Sequence, residues 1–330
     1  MALEFFLTNN LSPTLLRQVE EFLDSQETGH PFQFPQWLDA GSRFVLLQEE
    51  KRIRWVGGFS VHSPLGWKVP WIRAAAANRG PVCDDRQLWA DAVDQFSEQM
   101  RRDRFTFLDV SPDWIQDGTG EPVGLFNNPE WKLIGGEAAS LRLNLNRSGD
   151  EIFANFSKNT RYEVRRAERA GATVTVAASD AEVDEFLRLY QELAARKGFQ
   201  PDVAERQRRQ IGWLMSVPSR GALLLARTEK AVLGGVVVAR AGRRCWYIWG
   251  ASDKRPQLNV GHILQWHALQ WAKSQGCTEY DFGGYTPGAT SGPAWFKAGF
   301  GGTAVRFTAS RRRLLRPGTY RVFSLLSKIR

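Results

Sequence analysis

The residues best equipped for chemistry lie at positions 276–302, GCTEYDFGGYTPGATSGPAWFKAGFGG. Tyr280-Asp281-Phe282-Gly283-Gly284-Tyr285 sets a carboxylate at the end of a predicted strand over 278–282, beside two glycines that let a ligand approach the backbone. Phe296-Lys297 follows on one predicted helical turn, an aromatic face next to a point cation, and a second glycine-rich corner closes the stretch. A held ammonium of this kind suits stabilisation of negative charge that develops during group transfer. A strand–turn–strand corner with a surface lysine would present the same letters, so both readings are open from this stretch alone.

Two basic clusters come next. In 157–169, SKNTRYEVRRAER, Lys158, Arg161 and Arg165 fall at i, i+3 and i+7 and share a helix face, which Arg169 continues. Cations on one stripe suit phosphate, which arginine meets bidentately; a solvated helix face is the alternative. The second cluster is the tail, where Arg311-Arg312-Arg313 leads into apolar residues interleaved with Arg321, Lys328 and Arg330. That pattern fits an amphipathic segment lying on an anionic membrane surface, or one docked on its own domain. A third candidate, residues 255–262 with Asn259 and Gly261, precedes a predicted helix whose N-terminus could hold pyrophosphate. Trp246-Tyr247-Ile248-Trp249 puts aromatics on both faces of a strand, with Tyr247 and Trp249 facing a cleft and Trp246 in the core. No Ser/His/Asp or Cys/His spacing marks a nucleophile, so an enzyme built from these parts would act on an amine that is already nucleophilic.

Composition narrows the classes. The chain has 330 residues, 43% of them apolar and 24% charged, which describes a globular protein of two domains. Its net charge of +9 points to phosphate-bearing partners. No apolar run reaches about 18 residues, and MALEFFLTNN has no basic n-region, so a cytoplasmic protein is expected, with contact at the inner face of the membrane through the tail. Cys83, Cys245 and Cys277 read as isolated buried thiols, and His262 and His267 miss the spacing of a helical metal pair; no metal site is expected.

The elements that must hold these residues are mixed α/β. Ser12-Pro13 opens a helix, strands are predicted at 43–48, 53–61, 69–76 and 80–83, a helix at 88–100, and a strand at 105–110. Strands over 131–146 end the first domain, so the boundary is expected near Asn146, giving domains 1–146 and 147–310 and a tail 311–330. Capping boxes at Ser148 and Ser179 start helices, the first expected to run unbroken to about Ala170. A third helix at 203–215, a β-meander at 222–250, a helix at 262–275 and the strand at 278–282 complete an order similar to the acetyltransferase-like (GNAT) fold. The first half follows it more roughly, so two tandem GNAT domains are predicted.

Taken together, Lys158-Asn159-xx-Arg161, Arg165-Arg166-Ala167, Trp249-Gly250-Ala251-Ser252, the Tyr280–Gly284 block and Phe296-Lys297-xx-Phe300-Gly301 resemble the Fem family, with Arg79-Gly80-Pro81 fitting in the first half. These are aminoacyl-tRNA-dependent transferases that build peptidoglycan cross-bridges. The resemblance, over about residues 30–310, implies two GNAT-like domains with a cleft between them. It also implies aminoacyl-tRNA as donor, and as acceptor a muramyl-peptide amine, UDP-linked or on lipid II. It assigns Lys297 and Phe296 to the transfer step, with Asp281 and Asp109 as candidate catalytic carboxylates. Trp37, Arg79, Lys158, Arg161, Arg165, Tyr247, Trp249, Asn259, Gly283, Gly284 and Tyr285 are the candidate substrate-binding positions. There are departures. Ser111-Pro112 stands where the family often has Asp-Pro, and Pro35-Gln36 precede Trp37 where some members carry a basic residue. The absence of a long coiled-coil insertion matches the short, FemX-like form. Coenzyme A is not expected, because only Gly261 marks its loop, and a monomer is expected. Two other readings stay open: an acyl-CoA-dependent GNAT N-acyltransferase acting on a cell-surface sugar or amino acid, and a non-catalytic binder of tRNA or envelope precursors.

Overall fold

The computed structural model describes residues 3–7, 11–39, 41–66, 69–116, 126, 128–135, 139–217, 219–229, 231–253, 258–290 and 292–327. The chain divides into two compact units, Met1–Ala138 with Arg306–Arg330, and Ala139–Val305.

The first unit begins with β1 (Leu3–Leu7), α1 (Pro13–Ser25), β2 (Arg43–Glu49), β3 (Arg52–His62), β4 (Ala74–Asn78), β5 (Val82–Cys83), α2 (Arg86–Arg102), β6 (Phe107–Ser111) and β7 (Trp131–Leu133). The Ser12 side chain accepts from the Leu15 N–H and Pro13 fills the first turn, so α1 starts where the sequence predicts. The β2–β3 hairpin turns through Glu50 and Lys51, both with positive φ, as a two-residue hairpin loop requires. Asp85 caps α2, whose Trp89, Val93, Phe96 and Met100 are fully buried. The Phe59 and Phe96 rings stack 3.9 Å apart in that core. β4 and β6 run parallel, and the predicted strand from residue 69 begins only at Ala74.

The second unit contains β8 (Ala139–Asn144), α3 (Gly149–Ala154), α4 (Lys158–Arg169), β9 (Thr173–Val176), α5 (Asp180–Lys197), α6 (Ala204–Ser216), β10 (Gly221–Thr228), β11 (Ala231–Ala241), β12 (Arg244–Ser252), α7 (Gly261–Ser274), β13 (Glu279–Gly284), α8 (Gly292–Ala298) and β14 (Thr303–Arg306). Its strands form one sheet in the order β14-β8-β13-β12-β11-β10-β9. Both predicted capping boxes are present, at Ser148–Glu151 and Ser179–Glu182. The single helix expected from 148 to 170 is two, because Ser157 leaves helical geometry and caps a new helix through the Thr160 N–H. The boundary expected at Asn146 lies instead after Ala138. β8 pairs with β13, Leu143 facing Tyr280, and so belongs to the second sheet.

The chain then returns to the first unit as β15 (Arg311–Leu314) and α9 (Pro317–Leu326). The separate tail expected from residue 311 is therefore part of that unit: β15 is an inner strand between β6 and β7. Arg313, 3% exposed, meets Glu130 at 2.6 Å, Glu98 at 2.7 Å and Asp94 at 3.3 Å. Those acids are what allow an arginine into the sheet. The rings of Tyr320 and Phe323 lie 5.6 and 5.4 Å from Phe107, so one face of α9 is docked, while Val322, Leu325 and Leu326 remain exposed. Lys328 and Arg330 lie outside the described residues.

The three cysteines are buried and free. Cys245 and Cys277 are not isolated from each other, however; their thiols share a hydrogen bond, and burial pushes the Cys245 thiol up. Among the described residues no helix is long and apolar enough to cross a membrane.

Candidate active site

The site arises where two neighbouring strands of the second unit part. β12 and β13 pair in parallel only from Arg244 and Glu279 to Trp246 and Asp281; β12 then continues to Ser252 and β13 to Gly284 without pairing to each other. On its other side β12 carries a bulge against β11: Trp249 faces Val237 and Tyr247 faces Val238, leaving Ile248 extra. The bulge breaks the alternation of side chains, so Tyr247, Ile248 and Trp249 all line the opened space. Phe282, Gly283 and Gly284 form the facing wall, and Tyr190, Leu193 and Phe199 also line the space. The result is a cavity of about 230 Å³ with Lys297 in its lining.

Lys297 reaches this cavity from α8, is 9% exposed, and donates a 2.7 Å hydrogen bond from Nζ to the Gly284 carbonyl. Its ammonium lies 5.8 Å from the Tyr247 ring centre. Burial pulls the lysine below its ordinary range, and the charge of Asp281 opposes that shift. Burial also pushes the Tyr247 phenol up to about 12, so at neutral pH it stays protonated and can donate.

The Gly284 carbonyl is aimed by a turn that only glycine makes easily. Asp281 Oδ1 accepts the Gly283 N–H at 2.8 Å, and Gly283 has φ +70°, a conformation costly for residues with a Cβ. The Asp281 carboxylate, 1% exposed, also accepts from the Ser140 hydroxyl and, at 3.1 Å, from Arg142 Nε. Asp281 therefore stands behind the wall of the cavity. The motif suggests a catalytic carboxylate; among the described residues its oxygens are engaged by Ser140, Arg142 and the Gly283 N–H, and it does not line the cavity.

Of the residues singled out from sequence, the structure brings Lys297, Tyr247, Trp249, Gly283 and Gly284 together. Phe296 does not line the cavity; it packs 4.8 Å from His262 and 5.3 Å from Phe300, seating α8 on the core. Tyr285 packs against the core and donates its N–H to Ala139. Asn259 is exposed at the start of α7, and Arg255, Pro256 and Gln257 lie outside the described residues. Lys158 and Arg165 are exposed on α4, whereas Arg161 donates to the Ala154 carbonyl at 2.7 Å and to that of Phe156. That arginine satisfies carbonyls at the end of α3 through one guanidinium nitrogen, Nη1.

Three candidates belong to the first unit and do structural work there. Asp109 is held by Arg312 through two 2.6 Å hydrogen bonds, which argues against its use as a free acid or base. Arg79 pairs with buried Asp113 at 3.1 Å and lies 4.2 Å over Phe307. Trp37 is buried and stacks on Phe32 at 5.2 Å. Sequence reasoning missed Tyr190, Leu193 and Phe199 as lining, because helical periodicity at 183–193 marks a buried face without saying what it faces. It also missed Arg142, which stands between Leu141 and Leu143 on a predicted strand with nothing in the residue order to mark its partner Asp281.

His262, 3% exposed beneath Phe296, supplies a test of this packing. Burial brings its imidazole down to about 4, and its Nδ1 has no hydrogen-bond partner among the described residues. The unfolded chain takes up this proton near 6.5 and the folded chain only near 4, so the contribution is complete above about 6.5 and lost as the pH falls. Urea unfolding should show His262→Leu shedding less stability than the parent between those values, by roughly 3 kcal/mol at the acid end. Parallel pH profiles would contradict a buried, neutral His262.

Residues 154–297 match the acetyltransferase (GNAT) domain model. The solved structure of FemX superposes on 97% of this chain and 99% of its own with a TM-score of 0.76 at 16% identity. The fold is a tandem GNAT fold. A tandem GNAT protein from the clavulanic acid biosynthesis pathway agrees, with a TM-score of 0.55 at 13% identity over 95% of this chain and 99% of that one. In sequence, 129 residues are 26% identical to the UDP-N-acetylmuramoylpentapeptide-lysine N(6)-alanyltransferase of Weissella viridescens, covering 39% of this chain and 38% of that relative. The likeness to FemX expected from the motifs holds. In this GNAT unit the cavity sits at the strand splay and carries one ammonium and two phenols; its described lining includes no carboxylate or imidazole. Such a site can hold an activated acyl group and stabilise charge on its carbonyl oxygen, and relies on the acceptor for nucleophilicity.

Proposed function

We propose that this chain is an aminoacyltransferase of peptidoglycan cross-bridge synthesis. It moves an aminoacyl group from the ester of an aminoacyl-tRNA to an amine of a muramyl-peptide precursor. The observation that carries this is Lys297, nearly buried at the splay and held on the Gly284 carbonyl, in a cavity whose described lining has no carboxylate or imidazole. The acceptor nitrogen attacks the ester carbonyl, a C–N bond forms, the C–O bond to the ribose breaks, and the alcohol leaves with a proton originating on the amine. Lys297 faces the oxygen on which negative charge appears at the tetrahedral stage. The likeness to an enzyme named as a UDP-N-acetylmuramoylpentapeptide-lysine alanyltransferase supports the acceptor class.

The GNAT match favours an acyl-CoA donor as the second reading. A coenzyme A pyrophosphate would rest on the N-terminus of α7, where Val260 caps without a side-chain hydrogen bond and Gly261 lies against the Phe296 ring. Among the described residues that is a meagre cradle, and we favour the ester donor. We further place contact with an anionic membrane surface on α9, whose exposed Val322, Leu325 and Leu326 adjoin Arg321.

Incubation with charged tRNAs and UDP-linked or lipid-linked muramyl-peptide should yield an acceptor heavier by one aminoacyl residue. Transfer of an acetyl group from acetyl-CoA to the same acceptor, with none from charged tRNA, would overturn the proposal.

A further inference from the structure

The break between α3 and α4 re-aims the basic residues of 157–169 and exposes something the spacing alone does not show. With Arg161 committed to the α3 carbonyls, the outward stripe of α4 is Lys158, Tyr162, Arg165 and Arg169, positions that fall within about 60° of one another at 100° per residue. Tyr162 is 54% exposed in the middle of this stripe. Lys158, Arg165 and Arg169 are exposed and form no ion pair among the described residues; Arg165 lies 5.5 Å over Phe153. Glu163 is turned aside, 3.6 Å from Arg166.

The stripe also has a direction. The Ser157 N–H donates to the Gly299 carbonyl at 2.8 Å, and a Cβ on Gly299 would strike the Thr160 hydroxyl, so the start of α4 is pressed against the end of α8. Gly299 is two residues from Lys297. The stripe therefore begins beside the element that carries the cavity lysine and leads away over about 17 Å of helix.

We propose that α4 is the track for the single-stranded 3′ end of the RNA donor, with Lys158, Arg165 and Arg169 following phosphates and Tyr162 stacking a base. This rests on the aminoacyl-tRNA reading above and adds to it the surface and the direction in which the strand runs. Cations interleaved with an exposed aromatic are what unpaired nucleotides need, since stacking tolerates any base while the charges follow the backbone. A membrane surface would require apolar residues on the stripe, and it has none.

The test uses the full chain and an uncharged acceptor-stem hairpin, with and without its single-stranded 3′ tail, read by fluorescence anisotropy across salt concentrations. Lys158→Gln/Arg165→Gln/Arg169→Gln should lower the salt slope by about 2, near 0.7 for each phosphate of a single strand that is no longer neutralised. Tyr162→Ala should weaken the tailed hairpin roughly tenfold and leave the tailless one nearly unchanged. Parental affinity and slope in the triple variant, with a parental melting temperature, would overturn the proposal, as would loss of binding to phosphatidylserine vesicles with RNA binding intact. Tail-dependent RNA binding through α4 in a parent protein that transfers nothing from charged tRNA would uphold the track and remove the donor reading alone.

Discussion

Arg142→Met is expected to lower stability by about 3–5 kcal/mol, because it leaves the Asp281 carboxylate buried without its cation. Arg142 is 5% exposed, and its Nε is 3.1 Å from Asp281. Methionine nearly fills the volume and keeps the apolar stem, so the loss isolates charge and hydrogen bonding from packing. For a unit of this size the melting temperature should fall by roughly 10 °C. The double variant Arg142→Met/Asp281→Asn should recover much of it, since removing both partners of a buried pair costs far less than removing one. The effect should extend to activity, because Asp281 also holds the Gly283 N–H and so aims the Gly284 carbonyl on which Lys297 rests. Melting of the single variant close to the parent would show that Asp281 is satisfied without Arg142, and the chain of support from β8 to Lys297 would fail.

What was legible in the sequence is local. Ser148 and Ser179 with their glutamates three residues on specify two helix starts, and both are found. Phe296-Lys297 between glycine-rich corners marks the lysine that lines the cavity. What was not legible depends on partners distant along the chain. Arg313 reads as part of a basic tail until Asp94, Glu98 and Glu130, which approach only in the folded first unit, surround it. Asp109 reads as a candidate acid until Arg312 occupies both its oxygens. The cavity itself comes from a parallel pairing that stops at Trp246 and Asp281 and from a bulge at Ile248, neither of which leaves a mark in residue order. The helix break was different. Ser157 before Lys158 is an ordinary N-cap signal, masked by the run of helix-forming residues around it.

The central claim is that Lys297 acts on the transition state. It lines the cavity with Tyr247, Phe282 and Gly284, and its ammonium is held on the Gly284 carbonyl before any substrate arrives, so little reorganisation accompanies its action. Such a group raises turnover more than affinity. Lys297→Met preserves much of the side chain's length and removes the charge, so the fold and the binding of both substrates should survive. The decisive measurement is the single-turnover rate of aminoacyl transfer at saturating donor and acceptor. The account predicts a fall of about 10²–10³ in that rate, with dissociation constants near the parent's. A rate near the parent's would contradict it and take Lys297 out of the mechanism.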